Sequence, residues 1–182
     1  MMISDWTVVG ERQVYKGHKT IVKKDFRMPN GIVKDFDVIV AKQVATVFAL
    51  TSDNKVLIAR QFRPGPHKVV DELPGGYFED GEEPLQAAAR ELLEETGYSG
   101  ELTFVGKMIG SAYTTMVRSV FVARNCKKVA ELNLDDTEFI EVVEKSLPEF
   151  LEQLRAGELS DINVAYRCLD FLGILVIDEN KL

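Results

Sequence analysis

The chain has 182 residues, 46% hydrophobic and 28% charged, enough for one good core with a small accessory unit. A formal net charge of -7 excludes a broad basic face for nucleic acid, so an anionic ligand must be met by a metal ion or by a few arginines. Two distant cysteines, Cys126 and Cys168, exclude a disulfide framework and a zinc site, and no apolar window approaches a membrane span. These features, with no secretory pattern at the N-terminus, lead us to expect a cytoplasmic protein with no membrane and no nucleic acid polymer as partner.

Residues 6–40 alternate short β-rich runs with Gly10, Gly17 and a Pro29-Asn30-Gly31 turn, which predicts about three antiparallel strands. A buried strand over 44–50 and a second in "VLIARQF", joined by the polar turn 51–55, predict a hairpin of the central sheet. "RPGPHKVVDELPGG" holds three of the six prolines and reads as a loop with at most one short strand at 69–73.

Then comes a helix: Pro84 suits its first turn, Glu82 and Glu83 suit the positive end of its dipole, and Gly97 ends it. At about 100° per residue, Leu85, Ala88, Ala89, Leu92 and Thr96 form one stripe, expected to face the core. Strand-like runs follow at "LTFVGKMIG" and "VRSVFVARN", then the charged loop "ELNLDDTEF" and a strand at 139–143. The last pattern is helical, from 147 to about 172, with a break near Gly157.

The last turns of the 84–96 helix gather Glu91, Glu94 and Glu95, with Arg90 placed to offset Glu94. Like charges at this spacing repel by a few tenths of a kcal/mol per pair, and the dipole there is already negative. A solvated acidic face accounts for such a cluster, and so does a hard divalent cation, since all-oxygen ligation suits magnesium or manganese.

Gly76, Glu82, Arg90, Glu91, Leu92, Glu94, Glu95, Gly97 and Tyr98 reproduce, over residues 76–98, the box G-x5-E-x7-R-E-U-x-E-E-x-G-U. By this the chain resembles the Nudix hydrolases, and "ARQFRPG...VDELPGGYFEDGE" resembles their ADP-ribose pyrophosphatase branch. The resemblance implies an α/β fold, a mixed β-sheet between helices, at 43–182. It also implies a small N-terminal antiparallel β domain at 1–42 that completes a homodimer.

The resemblance also implies roles. Glu91 and Glu95 match the magnesium ligands, Glu94 the residue that supports or joins them, Arg90 the residue that orients them, and Gly75 a backbone carbonyl ligand. Arg63 matches a phosphate-binding arginine, with Arg60 a second candidate, and Glu72 an acid of the cleft. Glu138 matches the general base or a further ligand, with Asp136 behind it, and Phe36 an aromatic that stacks on adenine.

The implied reaction is Mg2+-dependent hydrolysis of a nucleoside diphosphate derivative, such as ADP-ribose to AMP and ribose 5-phosphate, with Mn2+ as a substitute. One departure concerns the substrate: a Ser-Pro-Gly element common in ADP-ribose hydrolases is here Ser111-Ala112-Tyr113. Other nucleoside diphosphate sugars, dinucleoside polyphosphates and a non-catalytic nucleotide sensor stay open. His18 and His67 stand alone in turns and are expected at the surface, and both cysteines in packing.

Overall fold

The computed structural model describes residues 4–175. Its elements are β1 (Thr7–Lys16), β2 (Thr20–Arg27), β3 (Val33–Val40), β4 (Val44–Thr51), β5 (Val56–Arg63) and β6 (Lys68–Glu72). They continue with α1 (Pro84–Thr96), β7 (Tyr98–Ile109), β8 (Val117–Lys128), β9 (Ile140–Lys145), α2 (Leu147–Ala156) and α3 (Ile162–Phe171). The described residues divide into two compact units, 4–43 with 109–117, and 44–108 with 118–175.

In the first unit, β1-β2-β3 form an antiparallel sheet. Trp6, Phe26 and Phe36 cluster with ring centroids 5.5–6.1 Å apart, while Arg12, Lys23, Asp25 and Asp35 form ion pairs across the strands. The segment around Tyr113 joins β3: Ile39 donates its N–H to the Tyr113 carbonyl, and Thr115 donates to that of Ile39, both at 2.9 Å. That is where Ser111-Ala112-Tyr113 leads.

The second unit is a six-stranded mixed sheet in the order β6-β5-β4-β8-β7, with β9 also pairing β5. β4 and β8 run parallel at its centre. Both faces of β4 are covered, so it reads as an unbroken apolar run rather than an alternating one. Ala45, Val47, Ala49, Leu57 and Phe121 pack under Ala87, Ala88 and Leu92 of α1. Phe48, Ile58, Val120 and Val122 face Phe150 and Leu154 of α2 and Val164, Cys168 and Leu169 of α3. The result is the helix-sheet-helix layering expected from the sequence, with both cysteines buried.

The helical run over 147–172, expected to break near Gly157, is two helices. Gly157 takes the left-handed conformation (φ 77°) that closes α2, and α3 starts only at Ile162.

The apolar stripe of α1 is rotated from the one expected. Ala87, Ala88, Leu92, Glu95 and Thr96 are the buried residues, while Leu85 is 53% exposed and Ala89 is also outside. The small Ala87 and Ala88 let the helix lie close to β4, and that contact turns the Glu95 side inward.

Candidate active site

The site forms where the chain leaves β6, crosses β4 and enters α1. Residues 74–76 run alongside β4: Val47 donates its N–H to the Pro74 carbonyl and Ala45 to that of Gly76, both at 2.9 Å. Gly75 has φ 156°, and a Cβ there would strike the Ala45 carbonyl. At Gly76 a Cβ would lie 2.5 to 2.6 Å from the Glu91 carboxylate. The box therefore opens on glycines because a carboxylate and a neighbouring strand occupy the space a side chain would need.

α1 starts with Pro84 at its first position and the Glu83 N–H bonded to Gln86 Oε1 at 2.9 Å. It stops at Gly97 (φ 73°), whose N–H returns to the Leu93 carbonyl at 2.8 Å. The carbonyls that the helix end leaves open are taken by the next loop: Val129 and Ala130 donate to the Gly97 carbonyl, and Asn133 to that of Glu94. This tether brings the loop carrying Glu138 over the acidic end of α1.

Arg90 does more than offset Glu94. Its Nε and Nη2 bond Glu82 at 2.9 and 3.0 Å, and its Nη1 bonds Glu91 and Glu94, each at 2.9 Å. Nη2 also donates to the Tyr77 carbonyl at 3.0 Å. A guanidinium's five donors in one plane explain why arginine serves here, where lysine offers a point charge.

Glu95 is 5% exposed, and its Oε2 accepts the Gly75 N–H at 2.8 Å. Burial pushes its carboxyl up to about 8; the Gly75 N–H opposes this, and Glu91 and Glu138 add to it. Burial likewise lifts Glu91 to about 7 against the pull of Arg90, with Glu94 and Glu138 again adding. Two neighbouring acids, one buried and one half-buried, whose carboxyls are both raised toward neutrality are poised for a cation.

A cavity of about 170 Å³ brings Glu138 to this helix, lined by Glu79, Arg90, Glu91, Glu94, Asn133, Leu134, Asp135 and Glu138. Asp136 lies exposed outside it. Among the described residues no three acids, histidines or cysteines already form a metal cage. The donor set still fits magnesium or manganese, which are held by one or two carboxylates together with substrate phosphates and water. At present Arg90 and the Gly75 N–H hold the same carboxylate oxygens. Gly75 itself meets Glu95 through its N–H.

Strand alternation separates the two arginines of β5. Arg63 shares the face of Gln61: both bond Glu72 Oε2, Gln61 at 3.1 Å and Arg63 through Nε and Nη2 at 2.9 and 2.5 Å. Arg63 lies near enough to Glu95 for each charge to act on the other. Arg60 points to the opposite face. Its Nε and Nη2 bond Asp71 at 2.7 and 3.2 Å, and Asp71 Oδ2 also accepts Lys145 Nζ and Gln153 Nε2. Burial alone would raise the Asp71 carboxyl, but these partners outweigh it and hold it at about 2. Arg60 thus lines a groove with Glu138 while its own guanidinium is engaged elsewhere.

Phe36 belongs to the first unit and packs against Trp6 and Phe26. The sequence reading missed Gln61, although its alternation with Arg63 was a usable signal. It also missed Ser160, which donates to Glu72 Oε1 at 3.1 Å from 88 residues away and leaves no local trace.

Residues 41–163, well over half of the chain, match the family model for the NUDIX domain. The chain belongs to the Nudix family. Over 162 residues this Nudix chain is 31% identical to the ADP-ribose pyrophosphatase of Bacillus subtilis (strain 168), covering 87% of this chain and 88% of the relative. It is 29% identical over 153 residues to the methanol dehydrogenase activator of Bacillus methanolicus, covering 82% and 83%. The solved structure of an ADP compounds hydrolase superposes with a TM-score of 0.78 at 19% identity, covering 96% of this chain and 100% of that one, which shows the shared fold. The chain is a Nudix pyrophosphohydrolase of the ADP-ribose pyrophosphatase branch, and its reaction is hydrolysis of a nucleotide diphosphate.

Proposed function

We propose that the chain hydrolyses the pyrophosphate bond of ADP-ribose in the presence of Mg2+, giving AMP and ribose 5-phosphate. The observation that carries this is the pair of half-buried Glu91 and buried Glu95, lifted to about 7 and about 8, with Arg63 at its edge and Glu138 facing it. The 31% identity to an ADP-ribose pyrophosphatase over most of both chains supports the choice of substrate.

Glu91 and Glu95, with Glu94 beside them, are the residues that would hold the ions. A bound Mg2+ supplies charge neutralisation for the diphosphate and a more acidic water. Arg63, aimed by Glu72, binds phosphate oxygens and steadies the charge that grows on them during in-line displacement. Glu138 takes the proton of the attacking water. Arg90, bonded to Glu82, Glu91 and Glu94, orients the carboxylates that would hold the ions. Arg60 serves the Asp71 network and does not touch substrate.

Two further proposals follow from the same reading. The protein works in the cytoplasm; the support is its two unpaired cysteines and the finding that no helix among the described residues is long and apolar enough to cross a membrane. It also works as a homodimer, with the first unit as the pairing element and Phe36 available to stack on a purine. In support, that unit leaves Val8, Val9, Val14, Ile32 and Val33 exposed.

The test is a panel of ADP-ribose, other ADP-sugars, GDP- and UDP-sugars and diadenosine polyphosphates, each incubated with protein and Mg2+ and resolved by anion exchange. ADP-ribose should turn over fastest and yield two monophosphates. Preference for a GDP- or UDP-sugar, or binding without turnover, would replace the substrate or the enzymatic reading respectively.

A further inference from the structure

Asp161 stands at the N-cap of α3, where a carboxylate normally accepts an amide of the helix's first turn. It makes no such bond. Its Oδ2 instead accepts the backbone N–H of Leu73 at 3.2 Å, and its Oδ1 meets Arg118 Nη1. Ser160, just before it, gives its N–H to the Asp71 carbonyl at 3.0 Å. Its hydroxyl lies 3.1 Å from Glu72 Oε1 and 3.3 Å from Asp161 Oδ2. Leu159 pairs with Asp71 in a parallel bridge, so the backbone of the connector between α2 and α3 touches β6 at that one point.

What this connector touches is one step from the chemistry. Glu72 spends its second oxygen on Gln61 and Arg63. Leu73 lies two residues before Gly75, whose N–H holds Glu95. Pro74 and Gly76, between and after them, are fixed on β4. The stretch 72–76 is thus gripped from two sides, by β4 and by residues 159–161. A connector needed only for packing would use Leu159, which is buried in the core, and would leave the Asp161 carboxylate to cap its own helix.

We propose that Ser160 and Asp161 are positioning residues of the hydrolytic site. Ser160 fixes the carboxylate that aims Arg63, and Asp161 fixes the backbone that carries the Gly75 N–H to Glu95. The proposal rests on the roles given to Arg63 and Glu95 in the proposed function, and its test separates the two.

Four variants serve: Ser160→Ala, Ser160→Thr, Asp161→Ala and Asp161→Asn. Three measurements are made on each: Mn2+ binding to the resting protein by electron paramagnetic resonance, KM and kcat for ADP-ribose, and binding of ADP. Ser160→Ala should raise KM about tenfold, the effect of one lost charge-assisted hydrogen bond, with kcat little altered and ADP binding weakened in parallel. Ser160→Thr, which keeps the hydroxyl, should restore it. Asp161→Ala should weaken Mn2+ binding at least about fivefold, a share of one such bond. Asp161→Asn keeps an acceptor for Leu73, should fall between, and stands in where Asp161→Ala does not fold.

Variants that lower the melting temperature while leaving Mn2+ affinity, KM and ADP binding at wild-type values overturn the proposal. A wild type that binds Mn2+ and ADP but leaves ADP-ribose intact defeats the hydrolase reading alone, and the Mn2+ and ADP comparisons still decide the positioning roles. A wild type that takes up no Mn2+ defeats both.

Discussion

Replacing Glu95 by Gln keeps side-chain volume and an oxygen acceptor for the Gly75 N–H while removing a charge that the fold does not favour. In the metal-free protein the Glu95 carboxyl sits at about 8 against an ordinary 4.5, chiefly because it is buried. Between these values the folded chain holds a proton that the unfolded chain has released, so stability is full below 4.5 and falls as pH rises toward 8. Each pH unit crossed costs about 1.4 kcal/mol, so by pH 7 the wild type gives up on the order of 3 kcal/mol. Glu95→Gln escapes this loss. In urea titrations with EDTA it should match the wild type near pH 4.5 and exceed it at pH 7 by up to that amount. Adding Mg2+ should stabilise the wild type and leave the variant unmoved, because only the former binds the ion in its folded state. Hydrolysis should disappear in the variant. A stability difference between the two proteins that does not change with pH would refute the reasoning.

Glu138→Gln should lower kcat by about 10²- to 10⁴-fold, the usual share of a general base, with KM little changed, whereas Asp136→Asn should be silent in steady-state kinetics. Arg63→Met should raise KM for ADP-ribose, while Arg60→Met should leave KM alone and cost about 1–3 kcal/mol in urea unfolding, because it strips a partner from the buried Asp71. Asp71 is held at about 2, so its contribution to stability is present above its ordinary 3.8 and is lost as pH falls toward 2; comparing wild type with Asp71→Asn across that range shows it. Sedimentation should show a dimer, and replacing Val8 and Val33 with Lys should give a monomer.

The box was legible because its chemistry is local. Glycines that must lack a Cβ, a proline at a helix start and a left-handed stop are each demanded by the backbone within a few residues of themselves. The face of α1 that turns inward was less legible. A wheel built on hydrophobicity puts Leu85 and Ala89 inside, but Leu85 is exposed and the charged Glu95 is buried. A buried carboxylate is what a hydrophobic pattern does not place. Arg60 and Arg63 stand three residues apart on one strand, which puts them on opposite faces, and so Arg60 meets Asp71 while Arg63 meets Glu72. The connector through Ser160 and Asp161, and the engagement of Arg118 with Asp161, depend on contacts spanning 43 to 88 residues. No local period carries such contacts.

The most direct test of the central claim is Mn2+ titration of the wild type and of Glu91→Gln with Glu95→Gln combined, each with and without ADP, followed by electron paramagnetic resonance. Saturable uptake by the wild type, strengthened by ADP and absent in the double variant, is the predicted result. Equal uptake by the two proteins would mean that these buried carboxylates do not gather the ions, and the proposed hydrolysis at this site would be contradicted.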